Sequence, residues 1–225
     1  MKHGDTYSKR RQRVAFTLVE LLVVIAIMAI VVAITIPAFR GLGRGAGAEG
    51  AITQLRTTLS LARQWAVTHR QRTYVVFPDR AINYSGIENQ LYKACKAYAV
   101  LAASGDARQG RYIKEWTFLP QGVVFDDSDR PQSVFKDDCV VTNVPFPDAA
   151  HPRDICCIVF KPDGTPVSRG ALAIGYEVFL REGWALVNTN TWTLDYGTNS
   201  VGMNRGVEVT GLIGGIKLHD YQQKY

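Results

Sequence analysis

The sequence predicts an α+β fold, with one long N-terminal helix packed on a mainly antiparallel β-sheet or on two small sheets. Three observations lead there: an unbroken apolar run directly after a basic head, a helical stripe of Ile, Leu and Ala behind that run, and then short β-branched and aromatic segments separated by turn signals. At 225 residues with 47% hydrophobic content, the chain has room for one globular body plus an accessory segment.

The head comes first. Residues 1–15 carry Lys2, Lys9, Arg10, Arg11 and Arg13 against Asp5, which is +4 of the formal +6, and the remainder holds 21 basic and 19 acidic residues, or +2. The high pI is therefore mostly a property of this head, and a generally basic binding surface is not indicated.

From Phe16 to Phe39 the only polar residues are Thr17, Glu20 and Thr35. A helix of this length rises about 1.5 Å per residue and can cross a hydrocarbon core of roughly 30 Å. A soluble core helix rarely stays apolar on every face for so long. A cleavable secretory signal has an apolar region of about 7–15 residues, shorter than this one, and here Arg40 and Arg44 stand before the small-x-small stretch Ala46-Gly47-Ala48. The run is predicted to span a membrane with the basic head in the cytoplasm and everything after Phe39 on the far side. Glu20 is the anomaly. A carboxylate there is costly in hydrocarbon, so it should snorkel to the headgroups or find a positive partner.

Behind the run, Pro37 removes a backbone donor, and residues 41–50 include five glycines, each costing about 1 kcal/mol relative to Ala in a helix. Residues 40–50 are accordingly predicted to be a flexible helical segment. From Ala51 the helical period returns, with Ile52, Leu55, Leu59, Ala62 and Ala66 on one face and Gln54, Arg56, Arg63 and Gln64 on others. That stripe needs a sheet to lie against.

Strand signals follow over 73–77 (TYVVF), 92–102, 111–119, 139–144, 155–160, 171–180 and 206–218. The segments 92–102 and 111–119 flank a polar connection and are predicted to form a hairpin, while Lys161-Pro162-Asp163-Gly164 marks a turn between strands. No internal repeat is visible. The domain organisation is thus a leader over 1–15, a membrane and assembly helix over 16–39, a glycine-rich helical segment over 40–50 and a globular domain over 51–225.

The stretch RVAFTLVELLVVIAIMAIVVAITIPAF, residues 13–39, resembles the processing signal and first half-helix of type IV pilins and type II secretion pseudopilins. The resemblance implies that a membrane-embedded prepilin peptidase cuts between Ala15 and Phe16 and methylates the Phe16 amine. It implies that Glu20 neutralises the N-terminus of a neighbouring subunit during filament assembly, and that Pro37 is the usual helix-disturbing proline. The family normally has Gly where this chain has Ala15, which keeps a small residue at the cut. Residues 59–77, 116–126, 158–167 and 207–218 are more loosely similar to the minor pseudopilin H and related minor pilins, and residues 126–151 are an insertion without a counterpart.

The implied function is that of a minor pseudopilin-like structural subunit of a type II secretion pseudopilus, acting in protein secretion. Its expected partners are other pseudopilins or pilins, the prepilin peptidase, the inner-membrane assembly platform and, before assembly, membrane lipid. The expected location is the bacterial inner membrane, single-pass, with the N-terminus cytoplasmic, the C-terminal domain periplasmic, and the pseudopilus as destination. The alternative is a minor type IV pilin serving pilus assembly or DNA uptake. Nucleic acid is not an expected partner, because Arg205, Lys217 and Lys224 are spread thinly and Leu212 follows Thr210-Gly211, where many relatives place a basic residue.

An enzyme is not expected. His69, His151 and His219 are scattered, no nucleophile-and-base arrangement is recognisable, and no cofactor is implied. Cys95, Cys139, Cys156 and Cys157 would lie in an oxidising compartment. Adjacent strand residues point to opposite faces, so Cys156 and Cys157 do not readily share a partner. Cys139 with one of the two is the favoured pairing, and free buried thiols are the alternative. Asp126, Asp127 and Asp129, with Asp137 and Asp138, form an acidic stretch that could hold calcium; the plainer reading is a solvated loop, since the EF-hand order of ligands and glycine is missing.

Overall fold

The computed structural model describes residues 17–128, 132–136, 139–167, 175–199, 204–211 and 213–220; for residues 34–46, Asn204 and Asp220 it describes backbone only. The first element is α1, Leu18–His69, followed by β1 (Arg72–Phe77), β2 (Ala97–Ala103), β3 (Arg111–Phe118), β4 (Val123–Phe125), β5 (Val140–Pro145), β6 (Pro152–Phe160), β7 (Gly175–Asn188), β8 (Thr193–Thr198), β9 (Asn204–Thr210) and β10 (Ile216–Asp220). The chain divides into two compact units at Gly43–Arg44, inside the glycine-rich stretch. The backbone of α1 nevertheless stays helical through Pro37 and the glycines.

Among the described residues the pairings between these strands are all antiparallel, and one isolated parallel bridge joins Ser133 to Glu177 of β7. One sheet has the order β3-β2-β1-β6-β5; the other runs β10-β9-β7-β4, with β8 on the far part of β7. The architecture is α+β with two small sheets, the second of the two arrangements the sequence allowed.

The second half of α1 explains why both sheets fold onto it. Ala48, Ala51, Ile52, Leu55, Leu59, Ala62 and Ala66 are all buried, and they meet Val75, Phe77, Tyr98, Val100, Ile158 and Phe160 from one sheet and Phe125, Val178, Leu180, Val207 and Val209 from the other. Burying Leu55 and Leu59 stabilises the fold by roughly 1.5–3 kcal/mol each. Phe77 sits at the centre of this core, edge-on to Phe125 at 5.4 Å between ring centroids.

β1 and β2 are apolar on both faces because the first sheet is covered twice. Tyr74, Val76, Leu101, Ile155 and Val159 point away from α1 into a second core, which Ile82, Tyr84, Ile87, Leu91 and Phe146 close. Residues 92–95, read as strand from sequence, instead belong to a 3-10 turn at Glu88–Lys93 and the bend after it, where Cys95 has φ 56°. The reason is local: the Cys95 amide donates to the Pro78 carbonyl at 2.8 Å and its own carbonyl accepts from the Phe125 amide, which joins the two sheets at that point. The segment 206–218 is two strands, since Thr210 closes a turn onto Gly215.

Arg63 fastens the helix to a turn from each sheet, with Nε donating to the Gly164 carbonyl at 3.0 Å and Nη2 to the Ile213 carbonyl at 2.8 Å. The turns touch so closely that a Cβ on Gly214, at φ +63°, would lie 2.3 Å from the Gly164 oxygen. Only glycine fits there.

Candidate functional site

The helix start is built by Thr17 and Glu20. The Thr17 hydroxyl accepts from the Glu20 amide at 3.2 Å, while one oxygen of Glu20, Oε2, accepts from both the Thr17 amide and the Thr17 hydroxyl at 2.9 Å. This is a capping box, in which an N-cap Thr and a Glu three residues on satisfy each other's unpaired amides. The signal was legible as Thr17-x-x-Glu20 ahead of an apolar run, and sequence reading passed over Thr17. The other oxygen, Oε1, has no partner among the described residues.

Around this cap the first unit exposes its apolar side chains on all sides: Leu18 is 80% exposed, Ile25 60%, Met28 64% and Val32 54%. So large a contiguous exposed apolar surface is unusual for a soluble helix, which carries its apolar residues on one stripe. Among the described residues no helix is long and apolar enough to cross a membrane. The apolar side chains described end at Ala33, short of the roughly 20 residues a span requires. Ala15 and Phe16 lie outside the described residues, and Pro37 is described by its helical backbone only.

The favoured disulfide is not formed: Cys95, Cys139, Cys156 and Cys157 are free and buried. The expected pairing of Cys139 with Cys156 or Cys157 gives way to separate contacts. Cys139 Sγ turns to the Ser133 carbonyl at 3.7 Å, Cys156 Sγ to Asp79 Oδ2 at 3.4 Å, and Cys157 Sγ to the Ile155 carbonyl at 3.4 Å in the other core. Burial pushes the Cys95 and Cys156 thiols well above the ordinary range. The candidate calcium carboxylates are engaged as well. Asp127 takes Arg80 in a two-pronged pair at 2.6 and 2.7 Å, and Asp126 pairs with Arg181 at 2.8 Å. No group of metal-ligating residues occurs among the described residues, and Asp129 is outside them.

The turn at 161–165 is closed by its own backbone, with the Lys161 amide on the Thr165 carbonyl and the Gly164 amide on the Lys161 carbonyl, both at 2.8 Å, which makes it a strand connection. His151 pairs with Asp148 and His219 with Glu208.

The class this arrangement defines is an α+β chain carrying a capped, apolar, charge-bearing N-terminal helix. Residues 10–36 match the family model described as a prokaryotic N-terminal methylation motif. A solved structure, the crystal structure of the type IV minor pilin FimU of Pseudomonas aeruginosa (strain PAO1), is 13% identical, with 82% of this chain and 99% of that one covered and a TM-score of 0.40. No curated protein matches the chain.

Proposed function

We propose that this chain is a structural subunit of a short periplasmic filament, a minor pseudopilin of a type II secretion pseudopilus, and that it works through surfaces rather than through an active site. The observation that carries this reading is the methylation motif over residues 10–36, with Glu20 standing alone in an otherwise exposed apolar helix. In this reading a prepilin peptidase removes residues 1–15 and methylates Phe16. The helix over 16–39 holds the subunit in the inner membrane, with its globular domain in the periplasm, until the assembly platform passes it sideways into a bundle of sister helices.

The geometry at Glu20 supports the pairing. Because Oε2 takes both contacts from Thr17, Oε1 stays open for the terminal ammonium of an adjoining subunit, and the helix cap does not have to break to make that bond. A carboxylate in an apolar surround gains most from a full opposite charge.

The test is made in cells. Intact-mass measurement of the membrane-extracted subunit is expected to give a chain beginning at Phe16 with one added methyl group. Glu20→Ala is expected to be cut normally yet to enter sheared filaments at about a tenth of the wild-type level or less; equal incorporation would refute the charge-pairing role. A chain that keeps its arginine-rich head would refute the filament reading as a whole.

A further inference from the structure

The connection from β3 to β4 runs beside β7, where the Gly183 amide donates to the Gly122 carbonyl at 3.0 Å. Two adjoining clefts of about 230 and 450 Å3 open there and share Gln121, Gly122, Val123, Gly183 and Trp184. Both lie wholly in the second unit. Their floor is Trp184, which pairs with Gly197 across β7 and β8. A Cβ on Gly197 would lie 2.4 Å from Cζ2 of the indole and a nearly equal 2.7 and 2.8 Å from the two ring atoms bonded to it, Cη2 and Cε2, so the glycine sits beneath the ring face and not at its edge. One face of the indole is thus held against backbone. The other looks outward: Trp184 is 49% exposed, and no other aromatic ring stacks on it among the described residues.

Polar groups stand around this platform. Among the described residues the indole N–H, the Gln121 carboxamide and the Glu182 carboxylate make no hydrogen bond or ion pair. Glu182 stands two residues before Trp184 on the same face of β7, while Asn199, whose backbone amide donates to the Glu182 carbonyl at 2.8 Å, completes the smaller cleft. The larger cleft is walled by Phe118, Leu119, Pro120 and Leu186. Lys96 enters it, with Nζ donating to the Ala185 carbonyl at 2.8 Å and further donors to spare.

These surroundings select a ligand. A protein contact centred on the indole would strand the carboxamide and the carboxylate beside it, since the centre of such an interface is apolar. The Glu182 carboxylate opposes phosphates and other anions. A sugar ring suits both features, because it presents C–H bonds on its face and, around its rim, hydroxyls that donate and accept. An aromatic platform with a few convergent polar groups is the ordinary make-up of a small-ligand site. The apolar walls and Lys96 add a place for an acyl amide, with its methyl against Phe118 and Leu186 and its carbonyl accepting from Lys96 Nζ.

We propose that this double cleft binds a neutral oligosaccharide of N-acetylhexosamine units, with one ring lying on Trp184, its hydroxyls held by Gln121, Glu182 and Asn199, and its acetamido group in the larger cleft. The inference stands apart from the filament role, since it needs only the folded second unit.

The test is calorimetric titration and saturation-transfer NMR of the full-length chain, in a detergent without a sugar headgroup, with triacetylchitotriose and with maltotriose, which lacks the acetamido groups. Triacetylchitotriose is expected to bind with a Kd on the order of 1 mM or tighter, and about fivefold or more tighter than maltotriose. Trp184→Ala is expected to weaken binding about tenfold or more, and Gln121→Ala with Glu182→Gln about threefold or more. Gly197→Ala keeps the indole but pushes it off its seat, so it too should weaken binding about threefold or more. An unchanged circular dichroism spectrum establishes that each variant is folded. Trp192→Ala, which removes an exposed ring from the turn between β7 and β8, should leave the affinity as it is. The proposal is overturned by no binding of triacetylchitotriose at about 10 mM, by equal affinity for maltotriose, by unchanged affinity in both Trp184→Ala and Gly197→Ala, or by an equal loss on Trp192→Ala. Self-association in sedimentation that Trp184→Ala abolishes would make this face a contact between copies and would also overturn it.

Discussion

Asp79 is a carboxylate placed where ionisation is costly. It is 7% exposed at the end of β1, and burial pushes its carboxyl upward, with the hydrogen bond from Cys156 and the Ala81 and Ile82 amides opposing and the charge of Asp127 adding to the rise. The unfolded chain releases this proton near the ordinary value of 3.8, the folded chain only at higher pH. Between those values the folded state holds more protons, so stability declines as pH rises through the window and then levels off. Asp79→Asn removes that loss while keeping an oxygen for the Ala81 amide. Its melting temperature is expected to exceed that of wild type at pH 7 and to approach it at pH 3.5; an equal gain at both would refute the account. The thiols beside it give a second check. Four free cysteines, all buried, should react with a thiol reagent only after denaturation, and with a count of four; a count of two would mean a bridge the structure does not contain. Neither Asp79 nor its thiol partner could be read from sequence, because their meeting depends on Phe77 pairing with Cys156 across β1 and β6.

At the scale of elements, the stripe on α1 was legible residue by residue, since a 3.6-residue period names its own buried face. Leu55→Ala and Leu59→Ala are each expected to cost about 2–5 kcal/mol in chemical denaturation, because the helix is held by two sheets and cannot collapse into the gap. Leu61, on the same helix but 41% exposed, should change stability by less than about 0.5 kcal/mol as Ala. Strands long enough to bury a face were legible too, as β1, β6 and the β2–β3 hairpin illustrate. The failures have physical causes. β4 is three residues, too short for any period, and β8 is polar and exists because the far half of β7 offers it an edge. The turn inside 206–218 was signalled by Gly214-Gly215, yet its necessity arises from the contact with the Gly164 turn, 50 residues away in sequence. Gly214→Ala is therefore expected to destabilise by about 2 kcal/mol or more, through both the left-handed φ and the clash with the Gly164 oxygen. The same variant at Gly86, whose added Cβ would meet nothing within 4 Å, should cost only the φ penalty, about 1 kcal/mol.

At the scale of the molecule, sequence and structure divide the labour differently in the two units. The first carries its information in composition: a basic head, an apolar run, one carboxylate and a cap, all readable in order along the chain. The second carries it in topology, and for that reason the meeting of its buried Asp79 with Cys156 was invisible before the strands were paired. The two units should also be separable in stability. Every described residue of both cores lies at or beyond Ala48, so a chain beginning at Arg44 retains all of that packing and loses only the first unit. Such a fragment is expected to unfold in one cooperative transition, with a midpoint within about 2–4 °C of the same domain in the full chain, the shift that roughly 1 kcal/mol produces at this size. The small residual loss would come from the helix start at residues 44–47, which exchanges intrahelical bonds for water. A fragment that binds a hydrophobic dye and melts without cooperativity would mean that the exposed apolar helix contributes to the domain itself, and that the packing beyond Ala48 is not sufficient to hold the fold.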